Sequence, residues 1–359
     1  MKTCDFTGLE PMQRPTHASV LIEKEGGTVG LGLPTALDCV LDGADSCSWL
    51  AFSFSRTKNG LVELKITASA NPVAHSARFA HCHICMGEAR FPLYITQAAD
   101  DRKVLLKLRA SLMARYGNDL NMNVRKALGW LHKKDMDSWP GVKFTKEAFL
   151  KELYLTAIGF SGPFPEEILH LPHLETLHFS CTSLCGTIPK EIVHLPRLRY
   201  LNLSYNKLSG EIPKEIGLMA SLELLYMYGN ELSGSIPKEL GLLSSLDSLY
   251  LSNNAFSGSI PKELGQMSAL KELDLRKNTL SGVIPPELGQ LFALRDMDLS
   301  QNRLTGQIPA ELGNLHSLEA LHLDCNCLEG AVPESIQSLA PGCRLRVDRQ
   351  CRSICQRLA

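Results

Sequence analysis

Asp296 and Asp298 stand two positions apart. On one strand they would share a face, where paired carboxylates can serve acid–base hydrolysis of a glycan. A second group, His81-Cys82-His83-Ile84-Cys85, has zinc-ligand residue types and a CxxC spacing. In a strand His81, His83 and Cys85 share one face and Cys82 the other, and no second half of a four-ligand site is visible. Gly30-Leu31-Gly32 is read as a loop, because a phosphate cradle would need a third glycine and a following helix. The chain has no G-x-S-x-G elbow and no catalytic-cysteine signature. No catalytic residue, metal or cofactor is therefore expected. A glycan-active enzyme built on Asp296 and Asp298 is the weakest of the alternatives.

The remaining residues with recognition chemistry share a period, and the period reveals the elements that hold them. Asn206, Asn230, Asn254, Asn278, Asn302 and Asn326 recur every 24 residues, each followed four positions later by glycine, from Gly210 to Gly330. The register extends back through Gly186 and Gly162, giving eight repeats that begin at Leu150, Leu174, Leu198, Leu222, Leu246, Leu270, Leu294 and Leu318. The unit reads LxxLxLxxNxLxGxIPxxLGxL, with Ile158 and Thr182 in place of the asparagine in the first two repeats and Phe164-Pro165 and Ile188-Pro189 keeping phase. The LxL alternation is that of a strand with its leucines inward. Asparagine turns the chain and satisfies backbone groups of neighbouring coils. Glycine permits the turn, and Ile-Pro fixes an extended segment. One coil cannot bury its own leucines, so the coils must stack.

In that register the third, fifth, seventh and eighth positions of each coil face outward. Tyr154, Tyr200, Tyr205, Tyr226, Tyr228 and Tyr250 all fall there, six of the eight tyrosines in the chain. His178 and Asn202 continue the fifth-position column. The column then turns acidic at Asp274 and Asp298 and ends at His322, flanked by Glu272, Asp296 and Asp324, with Arg276 breaking the acidity. An exposed aromatic cluster beside an acidic one is a mark of recognition.

The pattern LxGxIPxxLGxL resembles the plant-type, 24-residue class of leucine-rich repeats. That resemblance implies an α/β solenoid with a curved parallel sheet and a concave face used for binding. Residues 150–341 are assigned to the eight repeats. Residues 342–359 are assigned to a truncated ninth coil and cap, because Leu345 and Val347 fall 24 residues after Leu321 and Leu323. Cys327 and Cys351, also 24 apart, would sit side by side in adjacent coils about 4.8 Å apart, within disulfide reach. Cys343 and Cys355 form a second candidate pair.

Residues 100–149 are expected to cap the solenoid. Val104, Leu108 and Leu112 give helical spacing behind Asp100 or Asp101. Trp139-Pro-Gly-Val142 resembles the W-x-G-V turn of the same family's N-terminal cap, with Phe144 where a cysteine would stand in secreted members. Residues 15–99, after a tail at 1–14, are expected to be a small all-β sandwich. Leu61–Thr67 alternates in polarity, and the stretches Glu25–Thr28, Ser48-Trp49-Leu50 and Ile95-Thr96-Gln97 resemble the BACON domain, an immunoglobulin-like module common in Bacteroidetes. That likeness implies either glycan binding or a spacer.

Composition limits the partners. Lysine plus arginine (37) nearly cancels aspartate plus glutamate (38), so no global field favours nucleic acid. No segment approaches 18 apolar residues and the first thirty contain no uninterrupted apolar run, so neither a membrane span nor a signal peptide is expected within the sequence. The expected function is noncatalytic binding of a protein, peptide or glycan, at a cell surface or in secreted form. An intracellular, cytoplasmic scaffold with reduced cysteines is the alternative.

Overall fold

The computed structural model describes residues 3–5, 18–22, 27–33, 39–42, 48–56, 62–69, 71, 78–86, 89–97, 100–116, 139–156, 162–339 and 343–347. The repeats stack as the leucine period demands. In the coil that starts at Leu246, the side chains of Leu246, Leu249, Leu251, Phe256, Ile260, Leu264 and Met267 are all buried. The same positions in every coil merge into one apolar core that runs from Val104 to Ile336.

Three surfaces wrap that core. The first is a ten-stranded sheet. Its parallel strands are Leu150–Tyr154, Thr176–His178, Tyr200–Asn202, Leu224–Tyr226, Ser248–Tyr250, Glu272–Asp274, Asp296–Asp298, Ala320–His322 and Arg344–Arg346. Each pairs with the next in strict 24-residue register, as in Leu201 beside Leu225 and Leu225 beside Leu249. The last of them pairs Leu345 with Leu321, so the strand period continues into a ninth coil. Leu345 is 38% exposed, as expected of a residue on the outermost strand. The second surface is a seven-stranded parallel sheet running from Cys185–Gly186 to Cys327–Glu329.

The third surface is a row of 3-10 turns, each entered from proline in an extended conformation, as at Pro237 with φ −65 and ψ 129. Proline needs no N–H there and sets φ in advance. Within these turns the glycine at the twentieth position allows close stacking. A Cβ on Gly241 would stand 2.2 Å from the carbonyl oxygen of Glu263, and one on Gly265 would stand 2.3 Å from that of Glu287.

Asparagine at the ninth position ties the coils together. The Asn254 side-chain oxygen accepts from the Leu232 N–H at 3.1 Å, and its amide donates to the carbonyls of Met227 at 3.0 Å and Leu251 at 3.1 Å. Asn278, Asn302 and Asn326 repeat the set. Turns that would otherwise leave buried backbone groups unpaired are thereby satisfied.

The helix Asp101–Tyr116 closes the N-terminal end of the core with Val104, Leu105, Leu108 and Leu112. Asp101, itself buried, accepts from the Leu150 N–H at 2.7 Å and lies 3.6 Å from the His173 ring. Trp139 and Val142 are buried beside it, and the strand Val142–Phe144 pairs antiparallel with the first coil. Phe144 thus belongs to the cap strand.

Before residue 98 the chain forms two four-stranded sheets. Two expectations change here. Thr3–Asp5, inside the expected tail, form a strand beside Gly30–Gly32. Gly30-Leu31-Gly32, expected as a loop, lies within the strand Gly27–Leu33, paired with Glu63–Lys65, because the small residues alternate with Val29, Leu31 and Leu33 at strand period. His81–Cys85 falls in the strand Arg78–Met86. The Asn59-Gly60 turn lies outside the described residues.

Cys327 is disulfide-bonded, whereas Cys343 carries a free thiol. The Cys343–Cys355 pair is thereby overturned. Cys351 lies outside the described residues, and its pairing with Cys327 stays a proposal. Peptide mapping of unreduced protein is expected to recover a 327–351 linked fragment. A linkage of Cys327 to any other cysteine would refute the pairing, and reduced thiols at both positions in natively purified protein would favour the intracellular alternative.

Candidate functional site

The long sheet presents most of the candidate recognition residues in a grid. Ladder pairing sets the fifth positions side by side in the order Tyr154, His178, Asn202, Tyr226, Tyr250, Asp274, Asp298 and His322, and extends the row to Arg346. Tyr200 and Asp296 lie in the adjoining third-position row, which reads Glu152, Thr176, Tyr200, Leu224, Ser248, Glu272, Asp296, Ala320 and Arg344. Tyr228, Arg276 and Asp324 follow the strand ends. Tyr205 sits in a left-handed turn with φ 53 and is the most exposed of the six tyrosines, at 57%.

The grid divides into three neighbourhoods. At the N-terminal end a cleft of about 350 Å³ is floored by Leu177 and Leu201 and walled by Tyr154, His178, Tyr200 and Tyr226. Asn202, Glu152, Thr176 and Leu224 complete its lining, and the last three do not stand out in sequence by residue type. Asn202 donates to His178 Nε2 at 3.2 Å. Burial holds the His178 pKa below its ordinary value, so a neutral ring accepts that bond. Glu152 pairs with Lys143 at 2.6 Å. Burial alone would raise its pKa, but hydrogen bonds from Lys143 and Tyr154 outweigh that and lower it.

The second neighbourhood is aromatic. The Tyr226 and Tyr250 rings meet edge to face at 4.8 Å, Tyr205 and Tyr228 at 5.0 Å, and Tyr228 lies 6.4 Å from Tyr226 and 6.2 Å from Tyr250. These are ordinary aromatic contact distances, so four rings from three successive coils make one patch. The Tyr250 hydroxyl donates to Glu272 at 2.5 Å. Burial and that carboxylate push its pKa well above the ordinary phenol value.

The third neighbourhood is acidic. Asp274 and Asp298 are adjacent-strand partners, as are Glu272 and Asp296. Arg276 lies between the first two, 3.4 Å from Asp274 and 3.8 Å from Asp298. His322 stands 3.6 Å from Asp298, which also accepts from Ser300 Oγ at 2.6 Å. The Asp296 side chain makes neither a hydrogen bond nor an ion pair with any described residue. Its pKa is raised, chiefly by burial, despite the opposing field of His322.

A carboxyl whose pKa is higher in the fold than in the unfolded chain favours folding in its protonated form, so the ionised form lowers stability. Asp296→Asn is therefore expected to raise the melting temperature at pH 7, and this gain should shrink as pH falls through the folded-state pKa. Thermal denaturation at pH 7 and pH 3 checks this. A variant less stable than the parent at pH 7 would contradict it.

Among the described residues no group of three or more His, Cys, Asp or Glu is placed to hold a metal, and no helix is long and apolar enough to cross a membrane. Asp324 lies on this surface without contributing a contact to the three neighbourhoods. The positions least visible in sequence are Arg344 and Arg346. They extend both rows by one strand and become legible only once Leu345 is counted as a ninth coil.

Comparison with known proteins places the fold in a class. Residues 150–339 are leucine-rich repeats: the family description "Leucine rich repeat" matches residues 150–208 and 293–315 with 317–339, and "Leucine-rich repeat region" matches 190–300. The chain is similar to the leucine-rich-repeat ectodomain of the Arabidopsis thaliana membrane receptor kinase GASSHO1/SCHENGEN3, solved with CASPARIAN STRIP INTEGRITY FACTOR 2. The identity is 30% over 66% of this chain and 31% of that one, with a TM-score of 0.59. The ectodomain of the Arabidopsis receptor kinase HAESA, solved with an N-terminally extended IDA peptide hormone, is 31% identical over 67% of this chain and 43% of that one, with a TM-score of 0.55. A plant ice-binding protein is 25% identical over 69% of this chain and 86% of that one, with a TM-score of 0.57. The chain thus spans less than half the length of these two receptor ectodomains. No curated protein matches it.

Proposed function

We propose that this chain is a noncatalytic recognition protein that holds an extended segment of a protein or peptide across the concave face of its solenoid, at a cell surface or in secreted form. The observation that carries this reading is the patch of tyrosines on the outer face, half-buried except for the exposed Tyr205, with a cleft at one end of the long parallel sheet and carboxylates at the other. Peptide-hormone complexes of similar ectodomains support it. Rows advance about 4.8 Å per coil, so the eight coils from Tyr154 to His322 span roughly 34 Å. An extended peptide covers that with about ten residues at roughly 3.3 Å each. Selecting peptides on the immobilised full chain tests the reading: binders should compete with one another and weaken with salt. Binders that ignore changes on this face would overturn it. Residues 15–99 are read as an immunoglobulin-like module that serves either glycan binding or as a spacer, and a glycan is the alternative ligand of the concave face.

One observation favours a second reading. Ser209, Ser233, Ser257, Ser281 and Thr305 occupy the same position in five successive coils of the seven-stranded sheet. A regular hydroxyl array of this kind suits ordered water, and the ice-binding neighbour is spanned over most of its own length. Freezing-point hysteresis that disappears in Ser257→Lys would favour ice. Its absence at high protein concentration would remove this reading.

A further inference from the structure

The third-position carboxylates Glu272 and Asp296 repeat the geometry of Asp274 and Asp298, one column over. Both pairs join the same two adjacent strands. The chain supplies its own guanidinium to one pair only: Arg276 bridges Asp274 and Asp298. Among the described residues Glu272 accepts from hydroxyl donors alone, Tyr250 at 2.5 Å and Ser248 at 3.3 Å. Among the described residues Asp296 has no hydrogen-bond or ion-pair partner, and His322 and Arg344, the latter two strands further along the same row, act on it only through their fields.

We propose that the partner presents an arginine to this second pair, its guanidinium fork spanning Glu272 and Asp296 while its plane rests against the ring of Tyr250. This rests on the concave-face reading and names the chemistry of the segment that face takes. Arginine fits better than lysine for two reasons. A planar fork reaches two carboxylates on adjacent strands, about 4.8 Å apart, where a point charge serves one. Guanidinium also stacks on aromatic faces, and the Tyr250 ring directly adjoins the carboxylates. Local charge agrees: Arg276 bridges Asp274 and Asp298 with the His322 ring beside the latter, and Arg344 reaches Asp296 only through its field, so among the described residues no cation touches Glu272 or Asp296.

The test selects phage-displayed random dodecapeptides on the immobilised full chain. A binder is then synthesised with its arginine intact, replaced by citrulline, and replaced by lysine. Enriched sequences should share one arginine. Citrulline, which keeps the shape and loses the charge, should weaken binding about tenfold, and lysine should recover only part of that loss. Asp296→Asn should weaken the arginine peptide by a similar factor and leave the citrulline peptide unchanged. If binders depend on Tyr226 and Tyr250 but show no arginine, or are indifferent to Asp296→Asn, this inference falls and the concave-face reading stands. If binders are indifferent to Tyr226→Ala with Tyr250→Ala, the concave-face reading falls too. A selection that returns no binder counts against both.

Discussion

Alanine at both Tyr226 and Tyr250 is expected to weaken a selected peptide ligand by about a hundredfold or more while leaving the melting temperature within a few degrees. Each ring offers a large, rigid contact area with a polar tip, and truncating such a residue at the centre of an interface typically costs about 2 kcal/mol or more. Two such losses sum to about 4 kcal/mol, or roughly three decades. The rings touch at 4.8 Å, so their effects are coupled and the smaller figure is the safer one. Stability should survive because the apolar core passes beneath the sheet through Leu225, Met227, Leu249 and Leu251, and the tyrosines lie on its outer face. Calorimetric titration against the parent, with Lys238→Glu as a control on the 3-10 surface, checks the expectation. A double variant that binds normally while Lys238→Glu does not would place the site on the opposite side.

The second large effect is on the fold. Gly265→Ala adds one methyl, yet that methyl would stand 2.3 Å from the Glu287 carbonyl oxygen and 2.7 Å from its carbon. Both are backbone atoms, so no side chain can turn aside, and two coils must move apart. Overpacking of this kind costs about 3 kcal/mol, a fall of roughly 5–10 °C in melting temperature for an array of this size. Because coils are stabilised chiefly by nearest neighbours, amide exchange should accelerate first in the coils on either side. A melting temperature within 2 °C of the parent would show that the turns separate freely.

Much of this architecture is legible in the sequence because a 24-residue period leaves little choice. Asn206 to Asn326 fix the register, and the register dictates which tyrosines and aspartates face outward. Three things escape that logic. The lining of the cleft by Glu152, Thr176 and Leu224 depends on which neighbouring side chains stand tall, and a column count is blind to height. The isolation of Asp296, compared with the well-bonded Asp298, comes from rotamers and from Ser300 and His322, not from spacing. Coil adjacency singles out Cys327, which is disulfide-bonded, but it does not tell which further cysteines pair, and Cys343, offered with Cys355 as a second pair, is a thiol. Before residue 98 the strands are short and glycine-interrupted, so Gly30-Leu31-Gly32 reads as a loop although it pairs along its length.

The twentieth position also sets the arch of the solenoid. From Gly217 to Gly313 it is glycine in every coil, and a Cβ at Gly217, Gly241, Gly265 or Gly289 would lie 2.2–2.3 Å from the next turn. In the first two coils the same position holds Leu169 and Val193, both buried. A real side chain cannot occupy so narrow a gap, so these residues act as wedges that spread the outer rim of the first coils while the strand spacing opposite stays fixed by hydrogen bonds. Spreading one rim tightens the bend, like tapered stones in a vault. The tightest bend is therefore expected behind Tyr154, His178 and Tyr200, with flatter coils behind the carboxylates. A partner would meet a hollow at one end and a platform at the other, and the chain would tell its two ends apart by shape before charge is considered.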